Sequence, residues 1–325
     1  MSRLWVVGEV SPDGGLARIS AEIATLARSL AEGGGGTAAG IVVAADPARA
    51  AGELAAYLPN VVAVPATAAS GHAWAAVAAE EIARAVGDEP GTFLLTSAGP
   101  DGRDLAGTLA GLLGWGVLAN AMAVTWADSA PAAEASVFGG RLITNGTLTG
   151  DRGIVTVRPN AAVAAAAPSP GQVETAAPSE VRSLPAVAIV DRVVEAEAVA
   201  SLEEARIIIS GGRGVGGPEG FKVVEDLAEA LGGVVGASRA AVDSGWISYS
   251  HQVGQTGKIV KPRLYMALGI SGAIQHKVGM QTAETIIAIN RDPDAPIAEF
   301  ADVLVVGDLF EVVPAIVAEL RARAG

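Results

Sequence analysis

Cysteine is absent from the chain, which excludes disulfides, thiolate nucleophiles and cysteine-ligated metal or iron–sulfur centres together. Redox chemistry would therefore need a bound cofactor. Aromatic residues make up only 4% of the sequence although 50% of it is hydrophobic. Any core must then be built of Ala, Val, Ile and Leu at close range, which favours layered helices and buried parallel strands. Basic residues are in short supply: 22 Lys and Arg face 35 Asp and Glu, a formal net charge of -13. Such a surface repels phosphate backbones, and no nucleic-acid partner is expected. No apolar run reaches the roughly 18 to 20 residues that span a bilayer; the Ala-rich stretch 161–167 is short and is followed by Pro168 and Pro170. The start, MSRLWVVGEV, turns polar within ten residues and lacks an export pattern. A cytoplasmic protein, not embedded in a membrane, is expected.

With 325 residues, the chain exceeds what one hydrophobic core usually organises, and two domains are expected. In the first, apolar strands at 4–8, 39–43, 61–64, 93–97 and 121–125 alternate with helical patterns at 16–31, 47–57, 71–86 and 102–113. This is the signature of a mostly parallel sheet covered by helices. From 133 to 157 the pattern shortens, with Gly139, Gly140 and Gly146 expected at turns of an antiparallel extension. Residues 159–185 read as a surface loop or linker, 186–194 as a returning strand, and 198–205 as the flexible crossing to the second domain. The expected domains are residues 1–197 and 198–325. In the second, strands at 206–210, 234–238, 264–270, 285–290 and 303–307 alternate with helices at 218–231, 272–280 and 309–323. That pattern specifies a doubly wound sheet.

Ligands of such sheets bind outside the carboxyl ends of the strands. Here those ends carry Gly211, Gly212 and Arg213, then Ser238 and Arg239, then Ser271 and Gly272, and finally Asn290 and Asp308. Gly212, Gly214 and Gly217 have G-x-G-x-x-G spacing between a strand and a helix, the arrangement that lets a backbone approach a pyrophosphate. The place of the acidic ribose ligand of NAD sites holds Ser238 and Arg239. That argues against a standard NAD site and leaves NADP, or another dinucleotide orientation, open. The segment QVGQTGKIVKP fails as a P-loop on spacing and on Ile259. Its Gln252, Gln255 and Thr256 form a polar loop that needs a ligand or dense hydrogen bonding. GISGAIQH sets a small-residue turn at a helix amino end, suited to an anion, with His276 one turn in.

In order and spacing, the strings SGGRG, GASRAAVDSGW, HQVGQTGK, GISGAIQH and AINRDPDAPIAEFADVLVVGDLFEVVP resemble the flavin-binding domain of electron transfer flavoprotein α subunits. The resemblance covers residues 206–320; the first domain resembles the family in architecture only. It implies two doubly wound, mostly parallel α/β sheets, the first nucleotide-hydrolase-like and the second Rossmann-like with FAD. The implied FAD contacts are Arg213, Ser238, Arg239, Val253, Gly254, Gln255, Thr256, Ser271, Gly272, Ala273, Ile274, Gln275, His276, Asn290 and Asp308. In that picture Thr256 lies near flavin N5, His276 at the N1/O2 edge, Arg239 over the ring, and Asn290 and Asp308 toward the adenosine. Negative charge on the reduced ring would be stabilised by cations at His276 and Arg239.

The resemblance further implies a heterodimer with a β subunit, electrons accepted from acyl-CoA and other dehydrogenases, as in fatty acid β-oxidation, and delivery to a membrane quinone reductase. No catalytic acid, base, nucleophile or metal ligand is assigned. Two other readings of the residues stay open: an NADP-binding oxidoreductase domain, from the glycine fingerprint with Arg239, and a nucleotide-binding regulatory module.

Overall fold

A computed structural model of the chain describes residues 2–34, 36–66, 71–127, 129–138, 142–178, 187–191, 202 and 205–324. The chain forms two compact units, Met1–Val137 with Leu142–Val193, and Phe138–Arg141 with Val194–Gly325.

The first unit begins β1 (Arg3–Gly8), α1 (Arg18–Gly34), β2 (Thr37–Ala44), α2 (Ala48–Leu54), β3 (Asn60–Pro65), α3 (Trp74–Val86), β4 (Thr92–Ser97), α4 (Pro100–Leu113). It continues with β5 (Gly116–Ala127), β6 (Ala130–Val137), β7 (Leu142–Thr147), β8 (Arg152–Val157) and β9 (Gln172–Thr175). These strands form one sheet in the order β7-β6-β5-β8-β4-β1-β2-β3-β9. Leu4 and Val6 pack into the core on one face, Trp5 and Val7 into the core on the other, because successive side chains of a strand point to opposite faces. A strand covered on both faces reads as a continuous apolar run, as RLWVVG does. Pro100 starts α4 and Gly114, at φ 68°, ends it in the left-handed conformation.

The expected antiparallel extension is half right. β6 pairs antiparallel with β5 and β7, but β8 inserts parallel between β4 and β5. Ile154, Val155 and Val157 on β8 are fully buried, and a short buried run carries no local mark of strand direction. Gly146 is not at a turn; it lies within β7, paired with Ala133. Gly139 and Gly140 lie outside the described residues. The stretch read as loop or linker contains β9, an edge strand parallel to β3. All four of its side chains are exposed, so it leaves no apolar pattern to read. Of the expected strand 186–194, the described part 187–191 forms a bridge from Ala188 to His72 in place of a strand. The expected crossing at 198–205 lies outside the described residues apart from Leu202 and Ala205.

The second unit runs β10 (Ile207–Gly211), α5 (Phe221–Leu231), β11 (Val234–Ala237), α6 (Arg239–Asp243), β12 (Leu264–Leu268), α7 (Ile274–Met280), β13 (Thr285–Asn290), β14 (Val303–Val306), α8 (Leu309–Ala324). The strands pair in parallel in the order β11-β10-β12-β13-β14. This is a doubly wound sheet whose switch point lies between β10 and β12. Each face has its own core: Ile209, Met266 and Leu268 on one, Ile208, Tyr265 and Ala267 on the other. The helix expected from Pro218 begins instead at Phe221, after a turn at residues 218–220. A β-carbon on Gly220 would stand 1.8 Å from the Val215 carbonyl oxygen, so this turn admits only glycine there.

Among the described residues no helix is long and apolar enough to cross a membrane. Nor is any group of three or more His, Asp or Glu placed to hold a metal ion.

Candidate functional site

Where β10 and β12 part company, the loops after four strands of the second unit enclose a cleft of about 640 Å³. Its walls carry Arg213 from the loop after β10, Ser238 and Arg239 after β11, Ser271, Ala273, Gln275 and His276 after β12, and Asn290 from the end of β13. The volume falls in the range of about 300–1,000 Å³ typical of small-molecule sites.

The glycines work between loops. The Gly212 and Gly214 amides donate to the carbonyls of Leu268 and Gly269, each at 2.9 Å. A β-carbon on Gly212 would stand 2.4 Å from the Gly269 carbonyl oxygen. Close approach of two backbones across the switch point therefore requires glycine here before any ligand is considered. Gly217 does not line the cleft.

The cationic side chains differ in freedom. Arg213 is exposed and, among the described residues, makes no ion pair. Arg239 Nε lies 3.1 Å from Asp243 Oδ2, one turn along α6, with both side chains more than half exposed. An exposed i,i+4 pair contributes little and exchanges readily. Ser238 caps the start of α6, its Oγ accepting from the Ala241 amide at 3.4 Å.

The polar loop expected at 252–262 satisfies itself by dense hydrogen bonding. The Val253 amide donates to Ala237 O at 2.9 Å, Lys258 N to Gln252 O at 2.7 Å, and Gln255 N to Gln275 O at 2.7 Å. Gln252 Nε2 donates to Thr256 Oγ1 at 3.1 Å. Val253 is a core side chain, so only its backbone is left to meet a ligand. Gly254 packs against Gly279 of α7, where a β-carbon would stand 2.3 Å from the Gly254 nitrogen. Gln255 and Thr256 are exposed. None of residues 253–256 lines the cleft.

His276, on α7, is buried at 6% exposure, and its Nε2 lies 2.9 Å from the Tyr265 hydroxyl. Its Nδ1 is shielded from solvent and has no hydrogen-bond partner. Burial pushes the imidazole from its ordinary value of 6.5 down to about 4, against a weaker opposite influence of the Val253 carbonyl. The expected cation is thus a neutral imidazole in the protein by itself. A charged ring needs a negative charge beside it to offset the desolvation.

Gly272 is buried and outside the cleft wall; at φ +83° with Ile297 against it, it is a turn glycine. Ile274 is 61% exposed and also outside the wall. Asn290 Nδ2 donates to Ile270 O at 3.0 Å, and its Oδ1 accepts from the Asp292 amide at 3.1 Å. Asp308 stands apart from the cleft: it accepts from the Phe310 amide at 2.9 Å at the start of α8 and pairs with Arg291. Those two contacts hold its carboxyl below the usual carboxylate range, the amide having the larger effect. Asp243, Asp292 and Pro296 line the cleft without having been singled out from sequence. For Asp243 a signal existed in the i,i+4 spacing to Arg239.

A dinucleotide cofactor fits what is present. Arg213 offers an uncommitted cation to phosphate, the cleft has the volume, and the buried His276 Nδ1 lacks a partner, which native interiors rarely leave unsupplied. Residues 4–187 match the family model described as the electron transfer flavoprotein domain. The first unit, linked to that family from sequence by architecture alone, thus matches it directly. Residues 201–281 match the electron transfer flavoprotein FAD-binding domain, which leaves Asn290 and Asp308 beyond the matched span. The chain is 42% identical over 325 residues to the electron transfer flavoprotein subunit alpha of Mycobacterium leprae, covering 96% of each chain. With the subunit alpha of Paracoccus denitrificans it shares 39% identity over 285 residues, 86% of this chain and 89% of that one. With that of Thermoanaerobacterium thermosaccharolyticum the identity is 63% over 127 residues, 39% of this chain and 38% of the other. The chain belongs to the electron transfer flavoprotein α-subunit family, whose cofactor is FAD and which implies a β-subunit partner.

Proposed function

We propose that this chain is the FAD-carrying half of a cytoplasmic αβ electron carrier. It accepts electrons from dehydrogenases, acyl-CoA dehydrogenases among them, and passes them to a membrane quinone reductase; it converts no substrate of its own. The observation that carries the reading is the switch-point cleft, in which Arg213 and Arg239 share the wall with the buried imidazole of His276. Bound FAD supplies the one- and two-electron chemistry. The chain supplies grip and electrostatics. Arg213, Ser238, Ser271 and Asn290 would hold the cofactor, and Arg239 can turn from Asp243 toward negative charge at small cost. His276, neutral by burial, would gain a proton as the ring gains charge and so favour the reduced state.

The functional division proposed is residues 1–197 for the β-subunit interface and 198–325 for the cofactor. Supporting the first part, Leu142 and Ile143 on the edge strand β7 are 55% and 63% exposed, and exposed apolar sheet edges are surfaces for another chain. Obligate interfaces of this kind commonly exceed about 2,000 Å².

The test is co-expression with the β subunit, an absorption spectrum, and stopped-flow reduction by an acyl-CoA dehydrogenase with its substrate, followed by reoxidation through a quinone reductase. A yellow complex that turns over between the two supports the reading. A colourless complex, a flavin that neither enzyme addresses, or a monodisperse flavin-loaded monomer of this chain alone overturns it.

A further inference from the structure

The largest side chain in the fully buried interior is a tyrosine, Tyr265, at 0% exposure. It sits on β12 between Ile208 of β10 and Ile286 of β13, in a core otherwise made of residues such as Leu202, Val253 and Met280. Phenylalanine would fill that space without a hydroxyl to desolvate, a cost that only a hydrogen bond offsets. The bond the hydroxyl makes is to His276 Nε2, at 2.9 Å, with the rings 5.9 Å apart and tilted by 57°, not stacked.

We propose that Tyr265 is the positioning residue of His276: its hydroxyl donates to Nε2 and so holds the neutral ring as the tautomer with its hydrogen on Nδ1. The inference rests on the reading above that His276 serves the flavin. The direction of the bond follows from chemistry. A phenol O–H is a better donor than an imidazole N–H, and an imidazole nitrogen a better acceptor than a phenol oxygen, so across this 2.9 Å contact the hydroxyl donates. A nitrogen that accepts bears no hydrogen in a neutral imidazole, and the ring hydrogen then belongs to Nδ1. Protonation reverses the bond: a proton from solvent adds at Nε2, which then donates to the phenol oxygen, and the phenol hydrogen swings to another acceptor. Ser210 is suited to receive it. Its Oγ is buried, and its hydroxyl acts on the phenol against the effect of burial. The ring can therefore change charge by rotation of one hydroxyl, with no movement of the core.

The experiment is a long-range proton–nitrogen spectrum of the histidine rings in the αβ complex carrying its FAD; the chain has only 3 histidines, His72, His251 and His276. The signal missing from His276→Asn assigns the ring. The parent is expected to show the pattern of hydrogen on Nδ1, and Tyr265→Phe to show mixed tautomers at His276 alone. FAD affinity should fall by less than about tenfold, the most that one neutral hydrogen bond transmits. Ser210→Ala should keep the parent tautomer. A parent ring with its hydrogen on Nε2, or a Tyr265→Phe spectrum identical to the parent, overturns the proposal; if Tyr265→Phe does not fold, the parent spectrum alone decides. A complex without flavin but with the Nδ1 hydrogen would sink the functional reading and leave this inference standing.

Discussion

Gly214 and Gly269 touch backbone to backbone across the switch point of the second sheet: a β-carbon on Gly214 would stand 2.6 Å from the Gly269 α-carbon. The contact closes the floor of the cleft, since Arg213 and Ile270 extend from these same two loops into its wall. A glycine spacing that reads as a phosphate cradle is here first a requirement of the chain against itself.

Gly269→Ala should therefore destabilise the cofactor unit. The position has φ +61°, and the new methyl would lie 2.6 Å from Gly214 Cα. Left-handed strain and overpacking each cost about 1–3 kcal/mol, so a loss of about 2–6 kcal/mol is expected in urea unfolding. An unchanged unfolding midpoint would show that the loops separate freely.

The buried imidazole makes stability depend on acid. His276 titrates at about 4 in the fold against an ordinary 6.5, so between those values the unfolded chain binds more protons. Stability is complete above 6.5 and declines as pH falls toward 4. At pH 5 the loss from this group approaches about 2 kcal/mol. His276→Asn apoprotein, compared with the parent by urea unfolding at pH 7 and pH 5, should lose that part of the acid sensitivity. Parallel pH dependences in the two proteins would refute the assignment.

His276→Ala should retain FAD, because Arg213 and Ser271 are untouched, while the potential for the first electron falls. A ring that takes up charge beside a reduced cofactor favours reduction, and its removal withdraws that reciprocal effect. A reductive titration with flavin content measured first decides the matter. Equal first potentials in parent and variant would make His276 a structural residue.

Arg213→Gln should weaken FAD binding more than Asp243→Asn does. Arg213 is the uncommitted cation of the cleft, whereas Asp243 only competes with the cofactor for Arg239. A charge-assisted hydrogen bond contributes about 1.5–3 kcal/mol, or about ten- to a hundredfold in affinity. Asp243→Asn should leave affinity unchanged or tighten it. Fluorescence titration of the apoprotein with FAD reads both, and a larger loss with Asp243→Asn would reverse the roles given to these residues.

Alternation of apolar strands and helical patterns was sufficient for the order of elements in the second unit, because strand burial on both faces and glycine at helix ends are local requirements. Its strand ends fall within two residues of those read from sequence; Arg213, Ser238, Arg239, Ser271 and Asn290 were legible at those ends, His276 as one turn into the following helix, and Gln275 only through the family resemblance. Pairing between distant segments was not legible. β8 enters parallel beside β4, and β9 joins the edge at β3 with every side chain exposed; neither partner is written into the strand itself. Tertiary structure alone brought Asp292 to the cleft, committed Asp308 to α8 and Arg291, and set the Tyr265 hydroxyl on His276. It also decided that imidazole's charge. An ionisable group's pKa belongs to its surroundings, and a histidine one turn into a helix is a cation or a neutral donor according to what the fold packs around it.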